Sequence, residues 1–300
     1  MLKLNIILRT DKNLRILFWI SDLYGPPDAL PRGMQMYPIF FGNNFYLGSK
    51  IHRLVFDTGD GDNERGDRIL REFVNDKIES ENGKKVAKML DELDIPIEKA
   101  EGDKFFRDTF RDISTEFNKY EPKINKLVKQ IFGMDLPKEI TLILAENFDR
   151  GISVSGGLIF NKDPILLGYT RSFVNVNKAN MTGIMIHEIL HALLGSNSLI
   201  NRKTTEGQYF EEALLDYFCS VGIISEKIGL IKKMSMEEYH EHNTKNRPYT
   251  IKISEVLLPI MKDYYNHIED STIWEFLNDE RFDKVLNRDE IKKLYRYPNH

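Results

Sequence analysis

His187-Glu188-Ile189-Leu190-His191 constrains this chain more than any other stretch. Residues four apart on a helix lie one turn above each other on one face, so the two imidazoles can offer nitrogens to a single divalent ion. Glu188 is rotated by about 100° from His187. It therefore stands beside the ion rather than on it, where it can take a proton from a water in the open coordination position. The flanking residues predict a buried helix. Asn180 or Thr182 caps its start, Ile184, Met185, Ile186, Ile189, Leu190, Leu193 and Leu194 give it apolar surface, and Gly195 stands where it stops. Ionisable groups in so apolar a run need charge partners or a metal. With 7 histidines among 300 residues, the motif should arise by chance in about one such chain per hundred, which makes a metal site the stronger reading.

Two histidines do not complete a zinc site. The stretch from Gln208 to Phe218 reads as the next helix, and the 20 residues between His191 and Glu212 suffice for a loop and a return beside the first helix. Glu212 and Asp216 are again four apart on one face. Glu212 is the third ligand in this reading, and Asp216 orients a ligand histidine from behind. Glu211 competes for the ligand role and ranks lower, because only Glu212 has a carboxylate four residues on. One Zn²⁺ per chain, held by His187, His191 and Glu212, is the expected cofactor.

With these residues in place, the chain resembles the gluzincin metallopeptidases, the thermolysin-like and M1 aminopeptidase-like superfamily. That group pairs an H-E-x-x-H helix with a downstream glutamate in an E-A-x-x-D pattern, the form taken here by Glu212-Ala213-Leu214-Leu215-Asp216. The order of elements extends the resemblance over roughly residues 104 to 225. Phe105, Phe106, Phe110, Ile113, Phe117, Tyr120, Ile124, Leu127, Val128 and Ile131 recur at three- and four-residue steps, as in a long amphipathic helix ended by Gly133. Ile140 to Ala145, Ile152 to Phe160 and Ile165 to Tyr169 read as strands. The resemblance implies an α+β, zincin-like catalytic core of long helix, small mixed sheet, metal helix and glutamate helix. It also implies peptide hydrolysis by an activated water with Glu188 as general base. A strand near the metal should pair with the substrate, and Ser155-Gly156-Gly157 is its candidate, glycines of a bulged strand being the competing account. The oxyanion donor is expected downstream: Tyr249 leads into an apolar helix from Ile251 to Met261, with His240 and His242 as rivals. No M1-type G-x-M-E-N segment occurs, since Ser155-Gly156-Gly157-Leu158-Ile159 carries no glutamate. That tilts the expectation towards endopeptidase action.

Other signals are weaker. Asp57-Thr58-Gly59 has the form of an aspartic-protease loop, but that chemistry needs two aspartates and only one D-T-G is present. Asp60-Gly61-Asp62-Asn63-Glu64 offers hard oxygens without the EF-hand spacing, and reads better as a solvated acidic turn than as a calcium site. A net charge of −4, with no basic block interleaved with aromatics, argues against a nucleic-acid partner. The single cysteine, Cys219, precludes an intrachain disulfide and reads as a core residue, which suits the cytoplasm. The apolar part of Met1 to Arg9 is too short for a signal peptide, and no run reaches the ~18 apolar residues of a membrane span.

The chain thus divides into an N-terminal mixed α/β module (1–100), a catalytic core (101–225) and a C-terminal helical subdomain (226–300). Leu4 to Leu8, Leu14 to Ile20 and Leu54 to Phe56 are the apolar runs of the first module. Val86 to Leu93 is a short helical pattern before the boundary, and Ile253 to Tyr265 and Thr272 to Leu277 are helices of the last part. A soluble zinc peptidase acting on a peptide or protein is the leading expectation, and a non-catalytic zinc-containing binding protein on a degenerate fold is the alternative. Oligomeric state is not legible in the sequence.

Overall fold

The computed structural model describes residues 3–9, 12–23, 43–56, 63–93, 103–146, 165–169, 174, 180–196, 200 and 205–278. Among them, strand β1 (Lys3–Arg9) is followed by helices α1 (Lys12–Leu23), α2 (Asn43–Val55), α3 (Asn63–Val74), α4 (Glu81–Glu92) and α5 (Asp103–Phe132). Strands β2 (Glu139–Glu146) and β3 (Ile165–Tyr169) come next, then α6 (Met181–Ser196), α7 (Thr205–Phe218) and α8 (Ile223–Ile228). The described chain ends with α9 (Met236–Asn246), a 3₁₀ turn at Pro248–Thr250, α10 (Ile251–His267) and α11 (Ile273–Leu277).

The expected α+β fold with a small mixed sheet is therefore corrected. The described residues are mostly helical, and their strands are confined to three short segments ordered β1-β2-β3, with both pairings parallel. Two physical reasons account for the difference. Leu14 to Ile20, of strand length in the sequence, lies within α1, where Leu14, Leu17 and Ile20 recur at helical spacing and are buried. A short apolar run carries no period strong enough to separate the two conformations. Leu54 and Val55, of the apolar run at Leu54 to Phe56, likewise close α2. The expected strand from Ile152 to Phe160, with Ser155, Gly156 and Gly157, lies outside the described residues, as does Asp57-Thr58-Gly59.

The sheet has a core on each face. Side chains alternate across a strand, and along β2 they divide accordingly: Ile143 joins a cluster built from α1, α2, α3 and α4, whereas Ile140 and Leu142 join the cluster of the helices from α5 onward. β1 pairs along its length with β2, from Lys3 opposite Glu139 to Arg9 opposite Ala145. The first residues of the chain thus contribute a strand to the sheet on which the later helices pack.

In the larger core, α5 buries Phe110, Ile113, Phe117, Ile124, Val128 and Ile131 on one face. Its last turn leaves carbonyls without helical partners. One of them, Phe132 O, accepts the indole N–H of the buried Trp274 at 3.0 Å, which ties α11 to the end of α5. Gly133 then leaves the helix at φ 71°, a conformation that favours glycine. Helix α6 is buried from Met181 through His191, so it is a central helix rather than a surface one. Thr182 Oγ1 donates to Glu116 Oε2 of α5 at 2.6 Å. Gly183 lets the turn after α7 approach, with Ser220 N donating to Gly183 O at 3.1 Å.

Candidate metal centre

Helices α6 and α7 bring three ligand atoms together. His187 Nε2 lies 2.9 Å from His191 Nε2, and Glu212 faces the first with Oε2 at 3.4 Å and the second with Oε1 at 3.3 Å. Tetrahedral coordination at zinc bond lengths of about 2.0–2.2 Å separates neighbouring donors by about 3.3 Å. Two imidazole nitrogens and a carboxylate that turns one oxygen to each ring thus form a triangle of ligand groups within 4.8 Å of one another, with the chemistry that a first-row divalent ion takes. His187, His191 and Glu212 are the group of described residues that could hold a metal. The histidines are almost fully buried, and the Glu212 side chain is 28% exposed, although its Oε2 is buried.

The α6 pair arises as the motif requires: one turn separates the rings, which meet edge to face with centroids 4.6 Å apart. Glu188 is buried beside them, feeling the charges of His187, His191, Glu212 and Arg247, and its Oε2 lacks a hydrogen-bond partner. Burial pushes its carboxyl above the usual range, against the lowering influence of His187 and His191. A carboxyl so placed holds a proton more readily than an exposed glutamate.

Behind the ligands the arrangement differs from the expected one. Glu211, the competing ligand in the sequence reading, turns away from the triangle, and its Oε1 accepts from His191 Nδ1–H at 2.8 Å. That bond leaves the His191 Nε2 lone pair for the site. Asp216 Oδ1 stands 3.7 Å from His187 Nδ1, too far for a hydrogen bond, and His187 Nδ1 has no hydrogen-bond partner. Asp216 is instead paired with Arg247 Nη1, which also lies 3.3 Å from Glu212 Oε2. Arg247 follows α9, where its N–H donates to Asn243 O and its own carbonyl accepts from Thr250 N and Thr250 Oγ1. The arginine escaped the sequence reading because it sits in an irregular connection with no periodic signal.

The charges decide what the centre can hold. Glu188, Glu211, Glu212 and Asp216 bring four acidic groups into one largely buried place, faced by Arg247 and the two imidazoles. Burial disfavours a charged His191 ring, yet Glu212 and Glu211 outweigh it and raise the ring to about 10. Burial acts against the Glu212 carboxylate too, but Arg247 and His191 hold it well below the usual range. An excess of buried carboxylates beside two imidazoles fits a divalent cation, which balances charge that the protein's own cations leave uncompensated.

Of the expected oxyanion donors, Tyr249 lies in the 3₁₀ turn two residues beyond Arg247, with its side chain outside the described set. His240 Nδ1 is 3.0 Å from the Tyr217 hydroxyl, which donates to Ser254 O at 3.1 Å. Partial burial of the His242 ring lowers its pKa, against the raising influence of Asp216. Cys219 is fully buried at the end of α7, and burial raises its thiol. No helix among the described residues is long and apolar enough to cross a membrane. No protein-family model, curated protein or solved structure matches the chain.

Proposed function

We propose that this chain is a zinc-dependent peptidase. The observation that carries the reading is the convergence of His187 Nε2, His191 Nε2 and the Glu212 carboxylate beside a buried Glu188 whose Oε2 has no partner. In the proposal these three residues hold one zinc ion. When bound, zinc polarises a carbonyl and lowers the pKa of a coordinated water. Glu188 takes the proton from the attacking water at Oε2 and delivers it to the leaving amine, a role favoured by the burial that makes its carboxylate more basic. Glu211 keeps His191 in the tautomer with a free Nε2 lone pair. Tyr249 donates to the oxyanion of the substrate, with His242 as the alternative donor. The substrate class is a peptide or protein.

The test compares the wild type with Glu188→Gln on a mixed peptide library, with zinc content measured on the same samples. The proposal expects cleavage by the wild type and a loss of at least about a hundredfold in the variant, with zinc retained. Equal rates would remove Glu188 as the base. Zinc in both proteins with cleavage in neither would identify the non-catalytic binding protein instead.

A further inference from the structure

The two ligand histidines are held unequally. His191 Nδ1 meets Glu211 at 2.8 Å, whereas His187 Nδ1, equally buried, has no hydrogen-bond partner. The carboxylate nearest to it, Asp216, is paired with Arg247. The same guanidinium nitrogen lies 3.3 Å from Glu212 Oε2, the oxygen that faces His187 Nε2 at 3.4 Å.

We propose that Arg247 is a positioning residue that loosens the metal centre, sharing the Glu212 carboxylate with the ion and keeping Asp216 away from His187. The proposal rests on the metal-site reading above. Two effects act in the same direction. A fixed cation beside a ligand oxygen repels a dication bound through that carboxylate, and it draws charge from the oxygen that would bind. An imidazole with no carboxylate at its far nitrogen is also a weaker and less firmly oriented ligand than one that has it. The opposing effect is any order that Arg247 imposes on Glu212. In this proposal that contribution is the smaller one: Glu212 stands on α7 between the buried Glu211 and Ala213, so its backbone is fixed by the helix and only its side-chain torsions are left for the arginine to order. The affinity for zinc is therefore set below what the three ligands alone would reach.

The test measures zinc affinity of the full chain by competition with a chromophoric chelator, at fixed pH and ionic strength. Arg247→Gln keeps hydrogen-bond donors and removes the charge, so it should bind zinc about tenfold more tightly or better. Arg247→Lys keeps the charge and should stay near wild type, which loss of packing alone would not produce. In the zinc-loaded Gln variant, the His187 Nδ1 proton should move downfield by NMR as Asp216 becomes its acceptor. Asp216→Asn removes the charge that Arg247 shares with Asp216, turns more of the guanidinium's field on Glu212 and should weaken binding, giving an independent check if the Gln variant does not fold. Equal or weaker binding by folded Arg247→Gln, or unchanged or tighter binding by Asp216→Asn, overturns the proposal while the metal site stands. A wild type that takes up no zinc overturns the metal-site reading and this inference with it.

Discussion

Glu211 and His191 show how one buried pair controls the metal-free centre. The ring is raised from its ordinary 6.5 to about 10, because Glu212 and Glu211 outweigh the burial that opposes its charge. A raised folded-state pKa contributes stability that is fully present below about 6.5 and lost as pH rises through about 10. Denaturation in chelator should therefore show the wild type losing stability across that window, with a shallower loss in Glu211→Gln. Identical slopes would mean that the pair does not govern the ring. Zinc loading requires the neutral ring, so the ion's own contribution should grow over the same range. At this scale the convergence of His187, His191 and Glu212 was legible, because H-E-x-x-H and E-A-x-x-D fix spacing along single helices. Arg247 and the turning of Glu211 towards His191 were not, since both depend on how side chains from separate segments meet.

The helices that carry the site owe their placement to a close approach at Gly183. A β-carbon there would meet Ser220 O at 2.5 Å and Ser225 Oγ at 2.8 Å, and Ser220 itself adopts φ 53°. Gly183→Ala must push the turn after α7 away from α6, one helical turn before His187. We expect a loss of about 1–3 kcal/mol in urea denaturation of the metal-free protein, together with weaker zinc binding. An unchanged midpoint would show that the contact yields without cost. Helix α5, with its long, strong period, and α6, α7 and α10, with their caps, motifs and apolar runs, are readable from the sequence at almost their full length. The run from Leu14 to Ile20 is not: seven mainly apolar residues fit either a strand or a helical turn pair, and only packing against α2, α3 and α4 decides.

Across the whole molecule, the sheet is the wall between two cores, and its first strand comes from the N-terminus. Parallel pairing of β1 with β2 joins Lys3–Arg9 to Glu139–Glu146 across most of the N-terminal half. Local pattern carries no information on so distant a pairing, which is why a mixed sheet inside the catalytic segment alone was the expectation and the parallel pairing of the described strands with the N-terminus was not. The metal helix packs on β3, against α5 and against α7, so the centre depends on the larger core as a unit. The most direct test of the central claim is zinc content by elemental mass spectrometry, on the wild type and His187→Ala purified after expression with zinc. One zinc per chain in the wild type, lost in the variant, is the predicted result. Absence of zinc from the wild type, or its full retention by His187→Ala, would contradict the metal centre described here.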